Sequence, residues 1–259
     1  MTYTPLKYYF GKDLAELLSS KITAIYPSFD AKDFIETVAK RVDPLELKAR
    51  VEVISDGLRE HLPQPFDAAI DILLQIIGPP NPNETGMFNE GYWLMPVAFF
   101  VEKFGLDHFD TSMRAIYEIT QRNTGEYAIR PFIEKYPEQT VRVMHQWSTD
   151  ASFHVRRLAS EGARPRLPWA KKLDMFIADP IPVLPILENL NRDPSKFVQK
   201  SVANHLNDIL KDNYETGMRV LRKWSEHPAP ETKWIIKHAL RNQKKLENPE
   251  ALALLDSLT

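Results

Sequence analysis

A chain of 259 residues with 43% hydrophobic content can bury a large core without help from a disulfide or a metal. Cysteine is absent, which excludes a disulfide framework, a thiolate–zinc site and a cysteine nucleophile. A net charge of −2 argues weakly against a nucleic-acid binder when charge is averaged over the chain, yet one basic face on a neutral protein suffices for such binding.

The N-terminus lacks the basic-then-apolar pattern of a signal peptide, and no long uncharged apolar run follows. A soluble cytoplasmic protein without membrane contact is the expectation. Glycine is scarce, at 9 residues, and apolar residues recur at helical spacing almost throughout. The first clear start signal is "DPLELKARVEVISDGLREHL": Asp43 suits an N-cap, Pro44 the first helical position, and Glu46 a capping-box partner. Further on, "TGEYAIRPFIEKYP" reads as a helix with Thr124 and Glu126 at its start. "FHVRRLASEG" is helical, whereas the alternating Arg and Pro of "ARPRLPW" cannot be. "DPSKFVQKSVANHLNDIL" and "PETKWIIKHALRN" are the last two clear helices. Strand-type alternation is hard to find, so an all-α fold is predicted.

Three segments also align with one another: "STDASFHVRRLASEG" from Ser148, "NRDPSKFVQKSVANH" from Asn191 and, with a slip of one or two residues, "SEHPAPETKWIIKHALRN" from Ser225. Val155 falls on Val198, Arg157 on Lys200, Ala159 on Val202 and Glu161 on Asn204. A period of about forty residues suits HEAT-like helical pairs, which bury their cores by stacking into a solenoid with a concave surface. Projection on a helix puts Val155, Leu158, Ala159 and Gly162 on one side and His154, Arg157 and Glu161 on the adjacent one. Lys200, Asn204 and Asp208 take the equivalent side of the next repeat. The reading is one domain, 1–259, with a helical N-terminal part to about 105 and site-bearing repeats over about 106–259.

From His154 to Lys172 the chain sets Arg156, Arg157, Arg164, Arg166, Lys171 and Lys172 against Glu161 alone. Each group has an ordinary explanation as well as a functional one. Arg157 and Glu161, at i,i+4, make a surface ion pair of roughly 0.3–0.5 kcal/mol in the ordinary case. Arg164 and Arg166 could simply solvate a loop, or two planar forks held by the Arg-Pro backbone could clamp phosphate. Glu126 suits the positive end of a helix. Asp208 could be a surface group, and Trp169 a plug between helices. Histidines show no metal-binding spacing, and neither a Gly-rich phosphate loop nor a nucleophile elbow occurs.

"HVRRLASEGARPRLPW", "SVANHLNDI" and "TGEYAIRPFIEKYP" closely resemble the AlkC-type DNA glycosylases, HEAT-like-repeat enzymes of alkylation repair, and the resemblance runs over nearly the whole chain. Some members carry a C-terminal immunoglobulin-like domain, and this chain resembles the shorter form. The resemblance implies hydrolysis of the N-glycosidic bond of cationic N-alkylated bases, chiefly 3-methyladenine and in some members 3-methylcytosine. It implies a monomer that grips duplex DNA in a concave groove without base flipping, uses no cofactor and holds no metal. It places Glu126, Glu161 and Asp208 as active-site carboxylates and Trp169 as the active-site aromatic. Arg157, Arg164 and Arg166 match DNA-facing basic positions, and Lys200 and Asn204 join the DNA-binding set. Gln199–Lys200 stands where relatives tend to have two arginines. A non-catalytic HEAT-like module that binds damaged DNA or a protein partner is the competing expectation. Neither Glu161 nor Asp208 is assigned to the core, so Glu161→Gln and Asp208→Asn are expected to leave the melting temperature nearly unchanged.

Overall fold

The computed structural model describes residues 4–85 and 91–258, and every regular element among them is helical. None of these helices is long and apolar enough to cross a membrane. The chain divides into two compact units, Met1–Pro82 with Gly86–Pro131, and Asn83–Thr85 with Phe132–Thr259.

In the first unit six helices follow in order: α1 (Lys12–Ile25), α2 (Ala31–Val42), α3 (Leu47–His61), α4 (Phe66–Ile76), α5 (Met95–Phe104) and α6 (Phe109–Thr120). Apolar residues one turn apart supply their contacts. Leu14, Leu18 and Ile22 of α1 are buried, as are Phe34 and Val38 of α2, and Ile54 and Leu58 of α3. Thus α1 packs on α2 and α4, and α3 on α2 and α5.

The start signal at Asp43 is misplaced by the sequence. Helix α3 begins at Leu47 with Glu46 as its extended N-cap, and Asp43 ends α2 instead. The reason is Arg50, buried at 3% exposure. Its guanidinium donates to the carbonyls of Leu45 (2.8 Å), Asp43 (2.9 Å) and Phe10 (3.3 Å). A charged donor satisfying three carbonyls outweighs a capping box of about 1 kcal/mol. Glu46, freed from capping, accepts from Lys7 at 2.6 Å.

Helix α7 (Arg130–Lys135) takes the chain into the second unit. There follow α8 (Pro137–Trp147), α9 (Phe153–Glu161), α10 (Asp174–Ala178), α11 (Leu184–Leu190), α12 (Lys196–Asp212), α13 (Tyr214–Ser225), α14 (Pro230–Ala239), α15 (Arg241–Lys245) and α16 (Pro249–Asp256). The expected repeat is visible as a row. Helix α9 packs on α12 and α12 on α14, while α8, α11 and α13 are their respective first partners. Val155, Leu158 and Ala159 of α9 and Val198, Val202 and Leu206 of α12 are fully buried. Each large aliphatic side chain so buried contributes roughly 1.5–3 kcal/mol.

The repeat extends to the turn before each helix. Asp150 accepts from the Ser152 amide at 2.7 Å, and Asp193 from the Ser195 amide at 2.9 Å. Arg156 then donates to the Asp150 carbonyl at 2.9 Å, and Gln199, at the equivalent position, to the Asp193 carbonyl at 2.8 Å. Arg156 also reaches across to the Asp193 carboxylate at 2.6 Å, which ties one repeat to the next.

Candidate active site and nucleic-acid interface

Helix α9 stops at Glu161 because the chain beyond it cannot remain helical. Pro165 lacks an amide hydrogen and disfavours the helical backbone at Arg164. The Arg164 amide donates to the Glu161 carbonyl at 3.2 Å, which folds the loop back over the helix end. The Arg164 guanidinium therefore lands between two carboxylates. Nη1 donates to Glu161 Oε1 at 2.7 Å, while Nε and Nη2 both reach Asp208 Oδ2 at 2.9 Å. Ser201 on α12 donates to Glu161 Oε2 at 2.6 Å. Arg157 lies 3.7 Å from Glu161 Oε1, with its guanidinium 4.5 Å from the centre of the Phe197 ring. Lys211 donates to Asp208 Oδ1 at 3.1 Å.

Glu161 and Asp208 are thus joined through one arginine, and both are buried, at 6% and 2% exposure. Burial alone would raise the pKa of Glu161, but Arg157, then Arg164, then the hydrogen bonds from Ser201 and Arg164 outweigh it. The carboxyl is held below its ordinary value and is ionised at neutral pH. Such a group cannot serve as a general acid there. It can stabilise a cation or accept a proton. Because both carboxylates are buried, the expectation that neutralising them leaves stability unchanged does not hold. A buried pair that loses one partner costs several kcal/mol.

Glu126 belongs to the first unit. It lies in a turn rather than at a helix start, since α7 begins at Arg130, so a helix dipole does not explain its placement. The carboxylate accepts from Thr124 Oγ1 at 3.0 Å, and the Glu126 amide donates to that hydroxyl at 3.2 Å. Gly125 permits this turn. A Cβ there would stand 2.8 Å from both Ile116 Cγ2 and Thr120 Oγ1 of α6. Glu126 is 5% exposed, and Asn123 beside it is also buried.

Trp169 is not a plug between helices. It is 70% exposed, with the backbone at φ +62°, a left-handed conformation uncommon for a bulky residue. Such strain persists where the surroundings impose it, and it recurs at functional sites. Arg166 points to Asp212 at the end of α12 and makes a two-pronged pair, 2.7 and 2.6 Å, at the surface. Lys200 is exposed, one turn before Asn204, which accepts from Arg241 at 2.9 Å. The second unit therefore brings Arg157, Glu161, Arg164, Asn204 and Asp208 into one polar seam between α9, α12 and the α14–α15 junction.

Sequence reasoning missed three members. Asp212 carries no motif of its own, and Ser201, although it opens the motif "SVANHLNDI", is not singled out by it. Arg241 was passed over because its segment ends in an ordinary basic run. Among the described residues no group of three or more His, Cys, Asp or Glu is placed to hold a metal ion.

Residues 123–243 match the family described as DNA alkylation repair enzyme, and the chain belongs to that family. Among its relatives is the uncharacterized protein YhaZ of Bacillus subtilis (strain 168), 39% identical over 251 residues, which cover 96% of this chain and 67% of YhaZ. Among solved structures it is similar to the Pseudomonas fluorescens alkylpurine DNA glycosylase AlkC bound to DNA containing an abasic site analogue. That similarity has a TM-score of 0.89 and 37% identity, over 98% of this chain and 69% of AlkC.

Proposed function

We propose that this protein is a DNA glycosylase that hydrolyses the N-glycosidic bond of cationic N-alkylated bases in duplex DNA. 3-Methyladenine is the first substrate and 3-methylcytosine the second candidate. The observation that carries this reading is the buried Glu161–Arg164–Asp208 network, in which one guanidinium bridges two carboxylates and helps hold the Glu161 carboxyl below its ordinary pKa. A base methylated on a ring nitrogen is already cationic and leaves without protonation. The C1′–N bond breaks with its electron pair going to the base, which departs neutral, and the sugar becomes an oxocarbenium ion. Water then adds at C1′ and gives up a proton, leaving an abasic site. Anionic side chains beside C1′ stabilise the developing positive charge and can accept that proton.

In this reading Glu161 and Asp208 face the sugar, and the resemblance names Glu126 as a further catalytic carboxylate. Trp169 offers an exposed indole face to the cation. Arg157, Lys200 and Asn204 contact the strand, whereas Arg164 acts by positioning the carboxylates and Arg166 is held by Asp212. The duplex is engaged as a monomer and without extruding the base, a departure from the usual behaviour of glycosylases. The likeness to AlkC in its DNA complex supports DNA as the partner.

The test is release of methylated base from alkylated duplex by purified protein under single-turnover conditions. Release that is fast for 3-methyladenine, slow for neutral uracil and reduced in Glu161→Gln supports the reading. A folded wild-type protein that binds DNA and releases nothing leaves the non-catalytic module in its place.

A further inference from the structure

Most arginines of the basic stretch from His154 to Lys172 are already neutralised. Arg156 is on Asp193, Arg164 is on Glu161 and Asp208, and Arg166 is on Asp212. A phosphate seeking any of these forks competes with a carboxylate at 2.6–2.9 Å. Arg241, at the start of α15, differs. Nη2 donates to Asn204 Oδ1 at 2.9 Å and Nη1 to the His238 carbonyl at 2.7 Å, both neutral acceptors. Among the described residues, no carboxylate makes an ion pair with Arg241 or with Lys200. Asp208, one turn beyond Asn204, is close enough to be felt by Arg241, but it is taken up by Arg164 and Lys211.

The guanidinium is also fixed in place. Asn207, buried in α12, donates to the Ala239 carbonyl at 2.7 Å and accepts from Asn242 at 3.0 Å. These two bonds clamp the α14–α15 junction on either side of Arg241. His238 stacks on Trp234, with ring centres 4.9 Å apart, and Lys196 lies 4.7 Å over the other ring system of that pair, the indole. Burial, Arg241 and Lys200 all push the His238 pKa down, as an unneutralised positive field should. These two cations, neither in an ion pair with a carboxylate among the described residues, thus lie at the partly exposed Asn204, on the seam that holds Asp208.

We propose that Arg241, with Lys200 beside it, is the phosphodiester-gripping site of the second unit, while Arg164 is reserved for the carboxylates. The ligand is the backbone phosphate of a DNA strand passing Asn204. Arginine suits this task because its remaining N–H groups keep the planar fork, and ordering it on neutral acceptors beforehand lowers the entropic cost of binding. This proposal rests on the glycosylase reading for the identity of the strand, but its physics needs only a phosphodiester.

The experiment measures binding of undamaged duplex to Arg241→Gln, Arg241→Lys and Lys200→Gln over a series of salt concentrations. Arg241→Gln and Lys200→Gln should each weaken binding about tenfold at low salt. Each should also reduce the slope of log affinity against log salt by about one. Arg241→Lys should keep the slope, because the charge remains, and lose only part of the affinity. An unchanged slope in folded Arg241→Gln overturns the proposal. So does an Arg241→Lys variant as impaired in slope as Arg241→Gln, which would make the residue a brace for Asn204. Base release is followed in parallel. Wild-type protein that releases no base while Arg241→Gln loses slope refutes the glycosylase reading and leaves the phosphate site standing. Release with an unaltered slope does the reverse.

Discussion

Arg164 and Arg166 stand two residues apart on one loop, and each meets a carboxylate of α12. Arg164 is buried between Glu161 and Asp208, while Arg166 makes a two-pronged pair with Asp212 at the surface. The residue types and distances are nearly the same, and the energetics are not. In the seam the charges are buried, and removing one leaves its partners with fewer counter-charges in a poorly solvated place. At the surface, water and salt replace whichever partner is removed. Proximity of charge in the sequence therefore says little about its role until burial is known.

The sharpest break of this contrast is Arg164→Ala. It leaves Glu161 with Arg157 and Ser201, and Asp208 with Lys211, as partners, so a loss of about 3–5 kcal/mol is expected in denaturant unfolding. A loss under about 1 kcal/mol would mean that water reaches the seam and that the two arginines are equivalent.

Glu102, on α5 in the first unit, calibrates what burial does without a closely paired arginine. Burial pushes its pKa up to about 7, with Lys48 opposing. Its folded pKa is raised, so no cost arises below the unfolded value near 4.5, and stability falls as pH rises toward 7. Glu102→Gln should therefore stabilise the protein by up to about 3 kcal/mol at pH 8 and by little at pH 4. Equal effects at both pH values would refute this account.

Glu161→Gln and Asp208→Asn separate chemistry from scaffolding. Each should lower single-turnover excision at least about tenfold, which is about 1.4 kcal/mol of barrier. Each should also reduce stability, because Arg164 loses an anionic partner. The pKa of Glu161 is lowered on folding, so its contribution is present above about 4.5 and is lost as pH falls through the folded value. The Gln variant should accordingly show a flatter loss of stability in acid. Wild-type excision by both folded variants would remove the pair from catalysis and leave Glu126 as the candidate.

Trp169→Ala, at a 70% exposed position, should leave the melting temperature nearly unchanged and slow excision several-fold, with Phe retaining part of the rate. Unfolding on substitution would contradict the exposed placement. The smallest effect is expected for Arg166→Ala, under about 1 kcal/mol in stability and less at high salt. A larger value would place Arg166 with Arg164 rather than opposite it.

The helical periodicity, the Arg-Pro break after α9 and the match of Val155 on Val198 were all legible, because each depends on local spacing or on a proline's missing donor. The start at Asp43 was not, because Arg50 gathers the carbonyls of Asp43, Leu45 and Phe10, a contact that spans forty positions of the chain. Motif resemblance nominated Glu161 and Asp208, but it could not say that they share Arg164. Nor could it say that Ser201 completes the Glu161 shell, or that Arg241 is the guanidinium set on neutral acceptors. By itself the sequence determined the all-α class, the repeat and the family, since periodicity, proline placement and motif are written along the chain. Tertiary structure alone decided which charges are buried, which cations are already neutralised and which remain for a ligand, because desolvation and pairing depend on neighbours that the chain brings from forty residues away.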